Sequence, residues 1–118
     1  MVHGSPRPES NLDMFEVVET VRRRGAFPIV EVGFMECNEP FISDAIEACV
    51  RRGAKRVIAV PYFLHPGNHV ADDLPTLLEA AQERYPQVEF LMGDYLGRDS
   101  HIADVIVDRV KQAQVMTD

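Results

Sequence analysis

The chain has 118 residues, 46% of them hydrophobic and 26% charged, with a formal net charge of −7 and two cysteines. That size suits one domain over residues 1–118 with no metal or disulfide staple. The acidic balance, with Lys and Arg scattered, argues against a nucleic-acid binder, and no apolar run approaches the ~20 residues of a membrane helix.

The opening His3-Gly4-Ser5-Pro6-Arg7-Pro8-Glu9-Ser10 reads as a loop, because two prolines and a glycine oppose regular structure. A helix is expected over residues 11–24, where Met14, Val17, Val18 and Val21 recur at helical spacing before Gly25. Residues 29–35 are β-branched enough for a strand. Pro40 suits the first position of a second helix running to Arg52, with Ile42, Ala45, Ile46, Cys49 and Val50 inward. Residues 56–60 are nearly all apolar, as a strand covered on both faces should be. A loop carrying Tyr62, Phe63, Leu64, His65 and His69 follows. A third helix is expected over 74–85 with Leu74, Leu77, Leu78 and Ala81 inward, then a strand over 88–92. Asp99 or Ser100 caps a last helix bearing Ile102, Val105, Ile106 and Val110. No signal peptide is visible, and two cysteines without a C-x-x-C or zinc pattern point to a reducing cytoplasm.

Strand and helix alternate, which predicts an α/β fold: a parallel sheet with helices on both faces. Such sheets bind ligands beyond the carboxyl ends of their strands. His3, Glu36, Glu39, His65 and His69 all fall in loops at those ends, and only His101 stands apart. Imidazole is a good ligand for Fe, Co, Ni and Zn, and carboxylate accepts protons. His65 and His69 have H-x-x-x-H spacing, but Pro66-Gly67 between them opposes a shared helical face. Glu39 reads as a cap for the second helix, and Asp72 and Asp73 as acids at the third helix N-terminus. Glu36 is open to a structural or a functional reading.

Three motifs then stand together: His3-Gly4-Ser5-Pro6-Arg7, Phe34-Met35-Glu36-Cys37-Asn38-Glu39-Pro40, and the run from Val60-Pro61-Tyr62-Phe63-Leu64 through Gly67-Asn68-His69-Val70 to Asp72-Asp73-Leu74-Pro75. In order, and over nearly the whole chain, they resemble the small class II chelatases, the sirohydrochlorin cobalto- and ferrochelatases. The resemblance implies a flavodoxin-like half-unit that pairs as a homodimer. It implies insertion of Co²⁺, Fe²⁺ or Ni²⁺ into a tetrapyrrole such as sirohydrochlorin, as in cobalamin or siroheme biosynthesis. His3 and His69 correspond to the family's metal-binding histidines, and Glu36 to its strand-end acid; nothing is carried onto His65. His3 or Glu36 is expected to accept the pyrrole protons. Tyr62, Phe63 and Leu64 are candidate groove walls, and Gly4, Ser5 and Arg7 candidate partners for substrate carboxylates. No organic cofactor is implied, and no G-x-x-x-x-G-K-[ST] motif is present. The family places about five apolar residues before the histidine, where this chain has Met1 and Val2. A shortened first strand is therefore expected, with a Val/Ile/Leu-rich segment upstream. A non-catalytic metal- or tetrapyrrole-binding module on the same fold is the alternative. A phosphoryl-transfer receiver is disfavoured, because His3 and Pro61 occupy the neighbourhoods its acidic residues would need.

Overall fold

The computed structural model describes residues 1–68 and 72–117. Its elements, in order, are α1 (Pro8–Arg23), α2 (Ile42–Arg51), β1 (Arg56–Ala59), α3 (Leu74–Arg84), β2 (Glu89–Met92) and α4 (Ser100–Thr117). α1 begins inside the stretch expected to be a loop. Pro8 opens it because a first-turn proline needs no N–H partner and has its φ preset. α2 begins at Ile42, not Pro40. The Asp44 carboxylate accepts the Phe41 N–H at 2.9 Å, so Phe41 is the cap position and Glu39 lies outside it. Asp99 does cap α4, its Oδ1 accepting the His101 N–H at 2.8 Å.

β1 and β2 pair in parallel, from Arg56 opposite Glu89 to Ala59 opposite Met92. The strand expected over 29–35 is reduced to bridges at Phe34, one to Val2 and one to Phe41. The physical reason is its neighbour: the parallel track beside it is only Met1–His3. The Val2 N–H donates to the Gly33 oxygen at 2.9 Å, the Met35 N–H to the Val2 oxygen at 2.7 Å, and the Glu36 N–H to the His3 oxygen at 3.1 Å. On the other edge the Met1 ammonium donates to the Val60 oxygen at 2.9 Å and the Tyr62 N–H to the Met1 oxygen at 2.8 Å. Burial lowers the pKa of that ammonium to about 6. Three residues thus form a short central strand, bonded on both edges in the parallel pattern.

Alternation along these tracks sorts side chains onto two faces. Val2, Val32 and Phe34 pack against Met14 and Val18 of α1. Met1, Met35, Phe90 and Met92 face the other way, onto Ile42 and Ile46 of α2 and Leu74 and Ala81 of α3. Helices therefore lie on both faces, but β1 is not covered on both. Ala59 is buried, whereas Ile58 is 58% exposed, Val60 45% and its neighbour Leu91 41%. α1 reaches only the far half of that face, and among the described residues α4 packs extensively on no other named element. Cys49, expected in the core, is half-buried; burial and the nearby Glu31 raise its thiol pKa.

Candidate functional site

Because Met1–His3 and the segment ending at Met35 run parallel, the residues leaving both tracks emerge at one edge. There His3 Nε2 lies 3.1 Å from Glu36 Oε1, and both side chains are open to water. His3 Nδ1 sits 3.0 Å from the Gly4 carbonyl oxygen. A carbonyl can only accept, so Nδ1 carries a hydrogen and Nε2 is the nitrogen turned to the carboxylate.

The local sequence enforces the pairing. Gly4 has φ +96, and a Cβ there would run into the Glu36 carbonyl oxygen. Only glycine lets the two loops close to this distance. On the Glu36 side, exposed Cys37 takes φ +70 and the Asn38 N–H bonds the Glu36 oxygen at 2.9 Å, turning the chain sharply after the acid.

Asn11, a residue with no assigned role in the sequence reading, holds the histidine loop from below. Its Oδ1 accepts the Ser5 N–H at 3.0 Å and its Nδ2 donates to the Ser5 oxygen at 2.8 Å. It is 4% exposed, the buried polar residue of the described core. The signal available in the sequence was spacing: Asn11 continues the inward stripe of Met14 and Val18, where a polar residue needs a partner. The same bonds revise one expectation. The Ser5 N–H, a candidate donor to substrate carboxylates, is already engaged by Asn11, and the Ser5 hydroxyl accepts the Arg7 N–H at 3.1 Å. The exposed Arg7 guanidinium and the Ser5 hydroxyl proton are among the groups this loop can still offer an anion.

The loop after β1 supplies the second wall. Tyr62 and Leu64 face solvent, whereas Phe63 turns inward against the α2 and α3 core. Behind it, the Leu96 N–H donates to the Phe63 oxygen at 3.0 Å, and Gly97 lies against the Leu64 carbonyl where a Cβ would collide. His65 is exposed. His69, with Val70 and Ala71, lies outside the described residues. Among the described residues no group of three or more His, Cys, Asp or Glu gathers as a metal site. The described part is thus a His–carboxylate pair at the mouth of an apolar edge, a partial donor set.

His101 stands apart, its Nδ1 2.6 Å from Asp99 Oδ1 beside an open depression formed by residues 94–102. The hydrogen bond and charge of Asp99 raise the His101 pKa, and bonds from His101 lower that of Asp99.

A family model described as CbiX matches residues 1–113. The chain is 41% identical over 109 residues to the chloroplastic sirohydrochlorin ferrochelatase of Arabidopsis thaliana, covering 92% of this chain and 48% of that protein. It is 34% identical over 131 residues to the sirohydrochlorin cobaltochelatase of Methanocaldococcus jannaschii, covering 91% and 92%. Among solved structures, the sirohydrochlorin chelatase SirB from Bacillus subtilis subspecies spizizenii, in complex with cobalt, superposes with a TM-score of 0.89. Identity there is 29%, over 94% of this chain and 47% of that one. The chain spans about half the length of the plant protein and of the SirB chain, and nearly all of the Methanocaldococcus protein.

Proposed function

The chain belongs to the CbiX family, and from that membership we propose that it inserts a divalent metal ion, Co²⁺, Fe²⁺ or Ni²⁺, into sirohydrochlorin or a closely similar tetrapyrrole. The metal is a substrate of this reaction. One M²⁺ enters the macrocycle and two pyrrole protons leave, so charge balances without a redox partner or an organic cofactor. The observation that carries the reading is the His3–Glu36 pair, 3.1 Å apart at the carboxyl edge of the parallel tracks.

His3 offers Nε2 to the metal and His69 completes the donor set. Nε2 can take the metal only while it carries no hydrogen, so any hydrogen on it leaves for water as the metal arrives. Once the metal has passed to the macrocycle, Nε2 and Glu36 are again free to take the displaced pyrrole protons. Tyr62 and Leu64 line the apolar approach. The Arg7 guanidinium meets a substrate carboxylate and offsets the repulsion of a chain carrying −7. A second copy of the chain closes the open side of the site, in keeping with a chain that spans about half the length of two of its relatives.

The test is anaerobic incubation with sirohydrochlorin and each metal in turn, followed by absorbance. His3→Ala and His69→Ala are expected to abolish insertion with the fold intact, and His65→Ala to slow it far less. Unimpaired turnover by His69→Ala at limiting metal removes that residue from the site. Tight tetrapyrrole binding with no insertion by the unsubstituted chain identifies a binding module in place of an enzyme.

A further inference from the structure

Two guanidinium groups of this chain lie over tyrosine rings, Arg84 over Tyr85 at 5.3 Å from the ring centroid and Arg98 over Tyr95 at 5.8 Å. A ring against the guanidinium plane holds the group in place and leaves its N–H edge open to a carboxylate. The two differ in where the fold sets them. Arg84 ends α3, just before β2, and so stands at the amino edge of the sheet. Arg98 lies in the loop after β2, at the carboxyl edge that also carries His3 and Glu36.

The Arg98 loop is built onto the apolar groove. The Gly93 N–H donates to the Ala59 oxygen at 2.8 Å and the Leu96 N–H to the Phe63 oxygen at 3.0 Å, which carries the β1–β2 pairing beyond the strands. Gly97 lies so close to the Leu64 carbonyl that a Cβ would collide, and Arg98 is the next residue. Counting from the Met1–His3 track, β1 is the first neighbour and β2 the second, so the Arg98 track runs about 10 Å from that of His3. Tyr62 and Leu64 leave the track between, while Arg7 follows the His3 track itself. The exposed apolar wall therefore has a cation-bearing loop on either side.

Two carboxylates share the Arg98 loop, and both are engaged elsewhere. Asp99 Oδ1 accepts the His101 backbone N–H at 2.8 Å and lies 2.6 Å from His101 Nδ1, and Asp94 Oδ1 accepts the Tyr95 N–H at 2.9 Å. Arg98 lines the open depression formed by residues 94–102 with its charge held on Tyr95. We propose that Arg98 is a specificity-determining residue: its guanidinium takes a carboxylate on the rim of the tetrapyrrole, across the groove from the one that Arg7 meets, and so selects an acid-rimmed macrocycle. The inference rests on the reaction proposed above and names the feature of the substrate that this edge reads. A chain carrying −7 repels a polyanion unless cations stand where its acids fall. A macrocycle laid with its apolar face on Tyr62 and Leu64 carries those acids at its rim, within reach of the two flanking loops. The planar fork of arginine suits a carboxylate better than the point charge of lysine.

The test titrates sirohydrochlorin into the full chain without metal and follows the tetrapyrrole absorbance, so that binding is read apart from insertion. Arg98→Gln is expected to raise Kd about threefold to tenfold, as for a charge-assisted contact discounted for its exposure. Arg98→Lys is expected to recover part of the loss. Arg84→Gln, which removes the same stacked group from the opposite edge, is expected to keep the parent Kd. The macrocycle with its acids methyl-esterified is expected to bind the parent and Arg98→Gln alike. An Arg98→Gln chain that binds the free acid as tightly as the parent overturns the assignment and leaves the proposed reaction standing. Equal weakening towards acid and ester overturns it as well, because the lost contact is then not to a carboxylate. A parent chain that binds neither macrocycle overturns both the reaction and this inference. Metal insertion by the parent is measured separately and reports on the reaction alone.

Discussion

Replacing Asn11 by Ala tests whether the histidine loop is held from below. The substitution deletes both bonds to Ser5, at 3.0 and 2.8 Å, from a residue 4% exposed. A typical internal hydrogen bond contributes about 0.5–1.5 kcal/mol net, so the pair is worth about 1–3 kcal/mol; a Ser5 group left dry would raise that figure, but Ser5 is half-exposed and water can replace part of the loss. For 118 residues the unfolding entropy near the midpoint converts this to a fall in Tm of about 4–12 °C. The consequence for chemistry is separate. Without Asn11 the Gly4–Ser5 loop no longer fixes His3 opposite Glu36, and metal insertion should fall more steeply than the fraction folded. Asn11→Asp is the informative companion, because it keeps the shape and the acceptor for the Ser5 N–H but sets a carboxylate against the Ser5 carbonyl. It should be no better than Ala. Urea melts and turnover at a temperature where each variant is fully folded provide the readings. An Asn11→Ala protein within ~0.5 kcal/mol of the parent and fully active would refute the argument.

Gly4→Ala should be at least as damaging, since it combines a left-handed backbone, costing about 1–3 kcal/mol for an L residue, with a collision against the Glu36 carbonyl; differential scanning and turnover both report it, and a wild-type Tm would show that the loop is free to move. The Asp99–His101 pair predicts a pH signature. The His101 pKa is raised above 6.5, so its contribution to stability is present below 6.5 and is lost as pH rises through the raised value. The Asp99 pKa is lowered below 3.8, so its contribution is present above 3.8 and is lost as pH falls through the lowered value. An NMR titration of the His101 ring should show a midpoint above 6.5 that returns towards 6.5 in Asp99→Asn; an unchanged midpoint would remove the pair.

The parts of this molecule set by local pattern were legible in its sequence. Met14 and Val18 of α1, Leu74, Leu78 and Ala81 of α3, the positions of β1 and β2, the Asp99 cap and the alternation that puts His3 and Glu36 at one edge follow from local pattern, whereas Leu77, expected to face inward, is exposed, as is Val17 of the first helical stripe. The misses share a different cause. Residues 29–35 have strand composition but lack a full neighbour, and a ladder is a property of two segments. Ile58 and Val60 read as doubly covered because their strand is apolar, yet cover depends on where α4 goes, some forty residues on. Ser5 looked like a free anion donor because its partner, Asn11, lies on another element and is visible only once α1 is seen to begin before it. His69, identified by motif, lies outside the described residues.

Met1 and Val2 are a structural part of the sheet and not a loose end. Met1 is bonded to Val60 and Tyr62 on one side while Val2 is bonded to Gly33 and Met35 on the other, so anything fused ahead of Met1 enters a track one strand wide. The track runs parallel to its neighbours, so the added residues would travel away from His3 towards the amino edge, between residues 29–32 and β1. An extended apolar leader could add ladder bonds there and steady the histidine. A proline-rich or bulky purification handle would pry the tracks apart and degrade the site while leaving α2, α3 and β2 intact. Comparing amino- and carboxyl-tagged preparations of the same sequence therefore probes the His3–Glu36 edge, and a tag placed beyond α4 leaves that track undisturbed.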